Sequence, residues 1–237
     1  MPATNLQRHQ LVWLSAAGWQ AVLAGPADEP PWTASARDCL QHWATRDLPL
    51  VVTRQTLAPS LTQAASGASP STPLTLGLAA PTRWDRQRLF VRVAAADVRR
   101  VGAFPLAAEV ADALPAAARK DWRALCAALQ ARGVAARVYG SHGWQALSGL
   151  AGVREGWSDI DLLLPCATPA QADAAAAVLA RAIPILPRID GECVFANGAA
   201  VAWREWAAWR AGAVRQVLVK RLHGATLEGA LAGVLAA

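Results

Sequence analysis

The chain has 237 residues, room for one large domain or two small ones. Hydrophobic residues make up 54% and charged residues 17%, which supplies a packed core and excludes global disorder. The net charge of +6, from 23 Lys and Arg against 17 Asp and Glu, suits a phosphate-rich or acidic partner. Residues 1–80 balance four basic side chains (Arg8, Arg37, Arg46, Arg54) against four acidic ones (Asp28, Glu29, Asp38, Asp47), so the whole excess lies in residues 81–237. Only Lys120 and Lys220 of the basic residues are lysines. Arginine suits fork-like phosphate contacts, and a bias of this Ala- and Trp-rich chain explains the preference equally well.

Cys39, Cys126, Cys166 and Cys193 are widely spaced, with no CxxC pair, which reads as reduced, buried thiols rather than a disulfide framework or zinc site. His9, His42 and His223 are scattered too. The apolar runs Leu11–Leu14 and Ala174–Ala180 are too short for a signal peptide or a membrane span. A soluble cytoplasmic protein is expected.

In chain order, residues 48–54, 74–79 and 88–93 read as strands. Arg88, Phe90 and Arg92 blur the inside/outside alternation of the third. Residues 58–75 form a Ser-, Pro-, Ala- and Gly-rich loop. A boundary near 97 divides a small N-terminal α/β domain (1–97) from a second α/β domain (98–237). Residues 116–132 form an amphipathic helix with Trp122, Leu125, Cys126 and Leu129 on one face, begun after Pro115 and ended by Gly133. Residues 135–139 form a strand, followed by a Gly-Ser turn and a helix to Leu150. Residues 158–164 form another strand, stopped by Pro165. Residues 169–182 are helical. Residues 188–196 and 199–203 flank the hairpin pair Asn197-Gly198. Residues 214–222 fit either a strand or a helix.

Chemistry concentrates in Ser158-Asp159-Ile160-Asp161-Leu162-Leu163-Leu164. Carboxylates at i and i+2 on a strand share a face, and apolar neighbours draw them toward a core. Paired like charges need compensation, which Mg²⁺ provides with one or two carboxylates plus substrate phosphates. The alternative is two solvent-facing aspartates at a strand end. In Tyr139-Gly140-Ser141-His142-Gly143, a glycine and a small hydroxyl between strand and helix present free N–H groups to an anion, or Ser141 merely caps the helix. Together, the two segments put phosphate-binding amides opposite a metal-binding pair.

This arrangement resembles the nucleotidyltransferase superfamily, with its polymerase-β-like fold. Gly140-Ser141-His142-Gly143-Trp144-Gln145, Ser158 to Leu163, Arg188-Ile189-Asp190-Gly191-Glu192 and Val201-Ala202-Trp203-Arg204-Glu205-Trp206 together look like the malonate decarboxylase holo-acyl-carrier-protein synthase family. That family is also described as phosphoribosyl-dephospho-coenzyme A transferase. The likeness extends through Leu11-Val12-Trp13-Leu14 and Leu76-Gly77-Leu78-Ala79 to nearly the whole chain. Ser141 and Asp159 stand 18 positions apart, longer than in many superfamily members.

The resemblance implies transfer of the 2'-(5''-phosphoribosyl)-3'-dephospho-coenzyme A group. The donor is its triphosphoribosyl form, the acceptor is a serine on the acyl-carrier subunit of malonate decarboxylase, and diphosphate leaves. It implies catalytic Asp159, Asp161 and Asp190, and Mg²⁺, in a two-metal site, on Asp159, Asp161 and either Asp190 or Glu192, with Asp190 preferred. It also implies donor contacts from Gly140, Ser141 and His142, with Arg204 and Lys220 as candidates to stabilise developing charge. No nucleic acid or membrane partner is expected.

Other readings compete. Ser141, Asp190 and His223 follow the order of a hydrolase triad, although Tyr139 replaces the first glycine of the nucleophile elbow. Trp203, Trp206 and Trp209 at helical spacing read as core, and Arg204 with Glu205 as an ion pair. Arg83, Arg86, Arg88 and Arg92 form a solvated face or a docking surface for an acidic carrier.

Overall fold

The computed structural model describes residues 6–25, 30–56, 73–150, 159–182 and 188–236. Most of the 58–75 segment and Ser158 lie outside them. The chain divides into two compact units, 1–103 and 104–237.

The first unit contains β1 (Leu11–Leu14), α1 (Ala16–Ala24), α2 (Ala34–Thr45), β2 (Leu50–Val52), β3 (Leu74–Ala79), β4 (Arg88–Val93) and β5 (Val98–Gly102). Its antiparallel sheet has the order β4-β3-β2-β1-β5. Ser15 Oγ accepts the Gly18 N–H at 3.0 Å and Thr33 Oγ1 the Ala36 N–H at 3.2 Å, capping the two helices. Trp19, Val22, Leu40 and Trp43 from the helices and Leu76, Leu78, Leu89, Val91 and Val93 from the strands are buried. The alternation on β4, blurred in the sequence, is clean: Leu89, Val91 and Val93 point inward, and Arg88, Phe90 and Arg92 outward. Because β5 pairs with β1, the unit ends six residues later than the expected boundary at 97.

The second unit contains α3 (Ala116–Gln130), β6 (Arg137–Tyr139), α4 (Gly140–Ser148), β7 (Ile160–Cys166), α5 (Pro169–Ala182), β8 (Ile189–Phe195), β9 (Ala200–Ala202), α6 (Trp203–Arg210), β10 (Val217–Lys220), β11 (Ala225–Glu228) and α7 (Leu231–Leu235). The sheet order is β11-β10-β9-β8-β7-β6, with β7 and β8 parallel and the other pairs antiparallel. The architecture is α/β, as expected. One face of the sheet, carrying Val138, Ile160, Leu162, Leu164, Ile189 and Val219, is buried in a common core with Trp122, Leu129, Leu179 and Trp206 from the helices. Period-2 alternation then puts Asp161, Asp190, Glu192 and Lys220 on the opposite face.

Several expectations change. Pro165 does not stop β7, which continues to Cys166. The last β6–β7 register pair is Arg137 with Leu163, so Pro165 has a ladder neighbour only in β8, where one missing N–H is tolerated. Residues 217–220 settle as a strand, and Trp203 opens α6 rather than closing a strand. Trp203 and Trp206 are core, as their spacing suggested. Arg204 and Glu205 turn to different partners, the Ile189 carbonyl and the Leu218 N–H, each at 3.0 Å. All four cysteines are free thiols. Among the described residues, no helix is long and apolar enough to cross a membrane.

Candidate active site

The polar face of the second sheet gathers the candidate residues along adjoining strands. Tyr139 at the end of β6 registers with Asp161 on β7, and Asp161 registers with Asp190 on β8. The two aspartates are therefore next neighbours across a parallel ladder, about 4.8 Å apart at the backbone. Gly140, the next residue after Tyr139, has φ +62°, and a Cβ there would collide with the Asp161 carboxylate. Only glycine lets the turn into α4 close down on that carboxylate.

α4 begins at Gly140, so the N–H groups of Gly140, Ser141, His142 and Gly143 belong to its first turn, which has no intrahelical acceptors. Gly143 is packed as tightly as Gly140: a Cβ would meet the Val138 carbonyl oxygen and the Phe104 ring. Ser141 and His142 are half-buried in this first turn.

The carboxylates differ in setting. Asp161 is half-buried, and its pKa is pushed up from 3.8 to about 6, first by burial and then by the charges of Asp190, Asp159 and Glu192. Asp159 is more open and faces Arg188 at 3.5 Å, a surface pair of small energetic weight. Asp190 Oδ1 accepts the Gly191 N–H at 2.9 Å. Glu192 is only 4% exposed, and its Oε1 accepts from Lys220 Nζ at 2.6 Å. This ion pair occupies two residues expected at the metal and at the donor, respectively.

Arg204 lies over the Trp203 ring at 4.3 Å while its NH2 group bonds Ile189, the residue before Asp190. Its guanidinium thus stands beside the acidic strand with further N–H groups to donate. Among the described residues, no hydrogen bond links Ser141, Asp190 and His223, and His223 is exposed in the turn between β10 and β11. The hydrolase triad is not assembled.

Among the described residues, no three His, Cys, Asp or Glu side chains form a ready-made metal site. The Asp161–Asp190 pair still fits a hard divalent cation. Both donors are carboxylates, and burial together with their mutual repulsion already raises the Asp161 pKa. Gly191 enters the sequence reading only as part of the Arg188–Glu192 motif, with no role of its own. Its φ is +146°, and a Cβ would run into the Leu162 backbone, so it holds β8 against β7 between Asp190 and Glu192. A glycine between two acids on a strand was the available signal.

Residues 7–104 match the family model for the phosphoribosyl-dephospho-CoA transferase MdcG N-terminal domain, and residues 105–229 match that for the C-terminal domain. The chain belongs to the phosphoribosyl-dephospho-CoA transferase family. A phosphoribosyl-dephospho-CoA transferase of Xanthomonas euvesicatoria pv. vesicatoria is 37% identical over 90% of this chain and 89% of its own length. Those of Xanthomonas campestris pv. campestris and Bradyrhizobium diazoefficiens are 34% and 33% identical, each over 93% of this chain and over 92% and 88% of their own lengths. No solved structure matches the chain significantly. The two family models meet between residues 104 and 105, one residue from the division between the compact units. The protein is a transferase.

Proposed function

We propose that the protein transfers the 2'-(5''-phosphoribosyl)-3'-dephospho-CoA group from its triphosphate form to a serine of the malonate decarboxylase acyl-carrier subunit, in the cytoplasm. The serine Oγ attacks the donor's α-phosphorus. A new O–P bond forms, the bond from that phosphorus to the bridging oxygen breaks, diphosphate leaves, and the serine proton passes to solvent. The observation that carries this reading is the register of Asp161 with Asp190 beneath the side-chain-free turn at Gly140.

In this reading, Asp159, Asp161 and Asp190 hold Mg²⁺. When bound, the ion neutralises triphosphate charge and lowers the pKa of the attacking hydroxyl. The N–H groups of the first turn of α4 and the Ser141 hydroxyl orient the phosphates, aided by the positive end of the helix. His142 flanks the same turn, and Arg204 supplies a fixed planar cation beside Asp190. Glu192 is assigned to Lys220 rather than to the metal.

The decisive experiment is intact-mass measurement of the purified carrier subunit after incubation with the protein, Mg²⁺ and the triphosphoribosyl donor. A mass gain equal to the donor minus diphosphate is expected. An unchanged mass with active reagents refutes the proposed acceptor and leaves only the family assignment.

A further inference from the structure

Glu192 and Lys220 form a pair that stability alone does not explain. Glu192 is almost wholly buried, and a buried ion pair gains little over apolar residues of similar size. The pair is also built across an intervening strand. Glu192 on β8 registers with Ala202 of β9, and Lys220 on β10 registers with Ala200 of β9. Two small side chains between them let the lysine stem cross β9 and bring Nζ within 2.6 Å of Oε1.

The placement along β8 matters as much. Glu192 stands two residues beyond Asp190 on the same face, about 6.6 Å along the strand. Glu192 shares the polar face of the sheet with Asp161 and Asp190, so the ammonium bound to it belongs to the same face as the carboxylate pair. Lys220 is 35% exposed and makes no other hydrogen bond among the described residues, so two of its three N–H donors remain for a ligand. A flexible lysine normally loses side-chain entropy when it engages an anion. Glu192 has already fixed this one.

We propose that Lys220 binds the leaving diphosphate portion of the donor and that Glu192 is a positioning residue for Lys220. This rests on the donor chemistry proposed above. Negative charge accumulates on the diphosphate as it departs, and the ammonium held by Glu192 is the cation that receives it.

The test measures inorganic diphosphate binding to the full chain by titration calorimetry with Mg²⁺, alongside donor and carrier KM values. Lys220→Gln is expected to weaken diphosphate binding at least tenfold and raise the donor KM, with the carrier KM unchanged. Lys220→Arg should restore most of the affinity. Glu192→Gln should weaken binding several-fold while retaining the positive charge. If Lys220→Gln fails to fold because it strands Glu192, the double variant Glu192→Gln/Lys220→Gln removes both charges and supplies the comparison. Diphosphate affinity within twofold of wild type in a folded variant lacking Lys220 overturns the proposal. Lysine-dependent diphosphate binding without a mass gain on the carrier refutes the proposed acceptor while sustaining the role of Lys220.

Discussion

Asp161 offers a prediction in which stability and activity move in opposite directions. Its carboxyl pKa in the folded chain is about 6, against 3.8 ordinarily, so the metal-free fold disfavours its ionised form. The difference corresponds to about 3 kcal/mol, and partial solvent exposure reduces this to about 2 kcal/mol. Below pH ~4 both folded and unfolded chains hold the proton, and the penalty is absent. It grows between pH ~4 and ~6 and is complete above that. Asp161→Asn keeps the shape and removes the charge. In EDTA at pH 8 it is expected to raise the melting temperature by about 8 °C, at roughly 4 °C per kcal/mol for a unit of this size. The gain should fall to about a third at pH 4.5, and carrier modification should be lost at every pH. Adding Mg²⁺ should stabilise wild type and leave the variant unmoved. Paired thermal melts followed by circular dichroism decide the matter. An Asn variant less stable than wild type at pH 8, or a gain independent of pH, refutes the reasoning.

Four other outcomes are expected. Gly140→Ala places a methyl group against the Asp161 carboxylate at φ +62°; it should cost about 1–2 kcal/mol in a denaturant titration and reduce kcat by more than tenfold. Asp159→Ala should abolish transfer while circular dichroism and melting remain near wild type, because this side chain is open and only loosely paired with Arg188. Chelation of divalent ions should stop the reaction and Mg²⁺ should restore it, followed by the mass of the carrier. On the first unit, Arg88→Glu/Arg92→Glu should raise the carrier KM several-fold at low salt but not the donor KM, since the outward row of the edge strand β4 combines these arginines with Phe90, itself 57% exposed. An unchanged carrier KM counts against docking there.

Local spacing reveals the candidate carboxylate pattern more readily than the ladder that organises it. Asp159 and Asp161 are two positions apart in the chain, so period-2 geometry suffices to expect them on one face. The hairpin at Asn197-Gly198, the helix over 169–182 and the strands 74–79 and 88–93 were likewise readable from local chemistry. The choice between Asp190 and Glu192 was not, because both alternate onto the same face. The structure pairs Glu192 with Lys220, 28 residues further on, and that pairing depends on strand order rather than on any local signal. Pro165 misled for a related reason: a proline breaks a strand only where a ladder bond is required, and that depends on where β6 ends. Within the stretch 214–222, residues 217–220 form a strand because β9 and β11 lie on either side of it.

Gly191 carries a consequence for mutational surveys. A side chain there would push the Leu162 backbone and spread β7 from β8, displacing Asp161 relative to Asp190. Substitutions scored only by lost activity would therefore rank this residue with the aspartates, although it offers no group to any substrate. Scanning data become mechanistically readable here only when each inactive variant is also checked for strand spacing, for example by amide hydrogen exchange across the two strands.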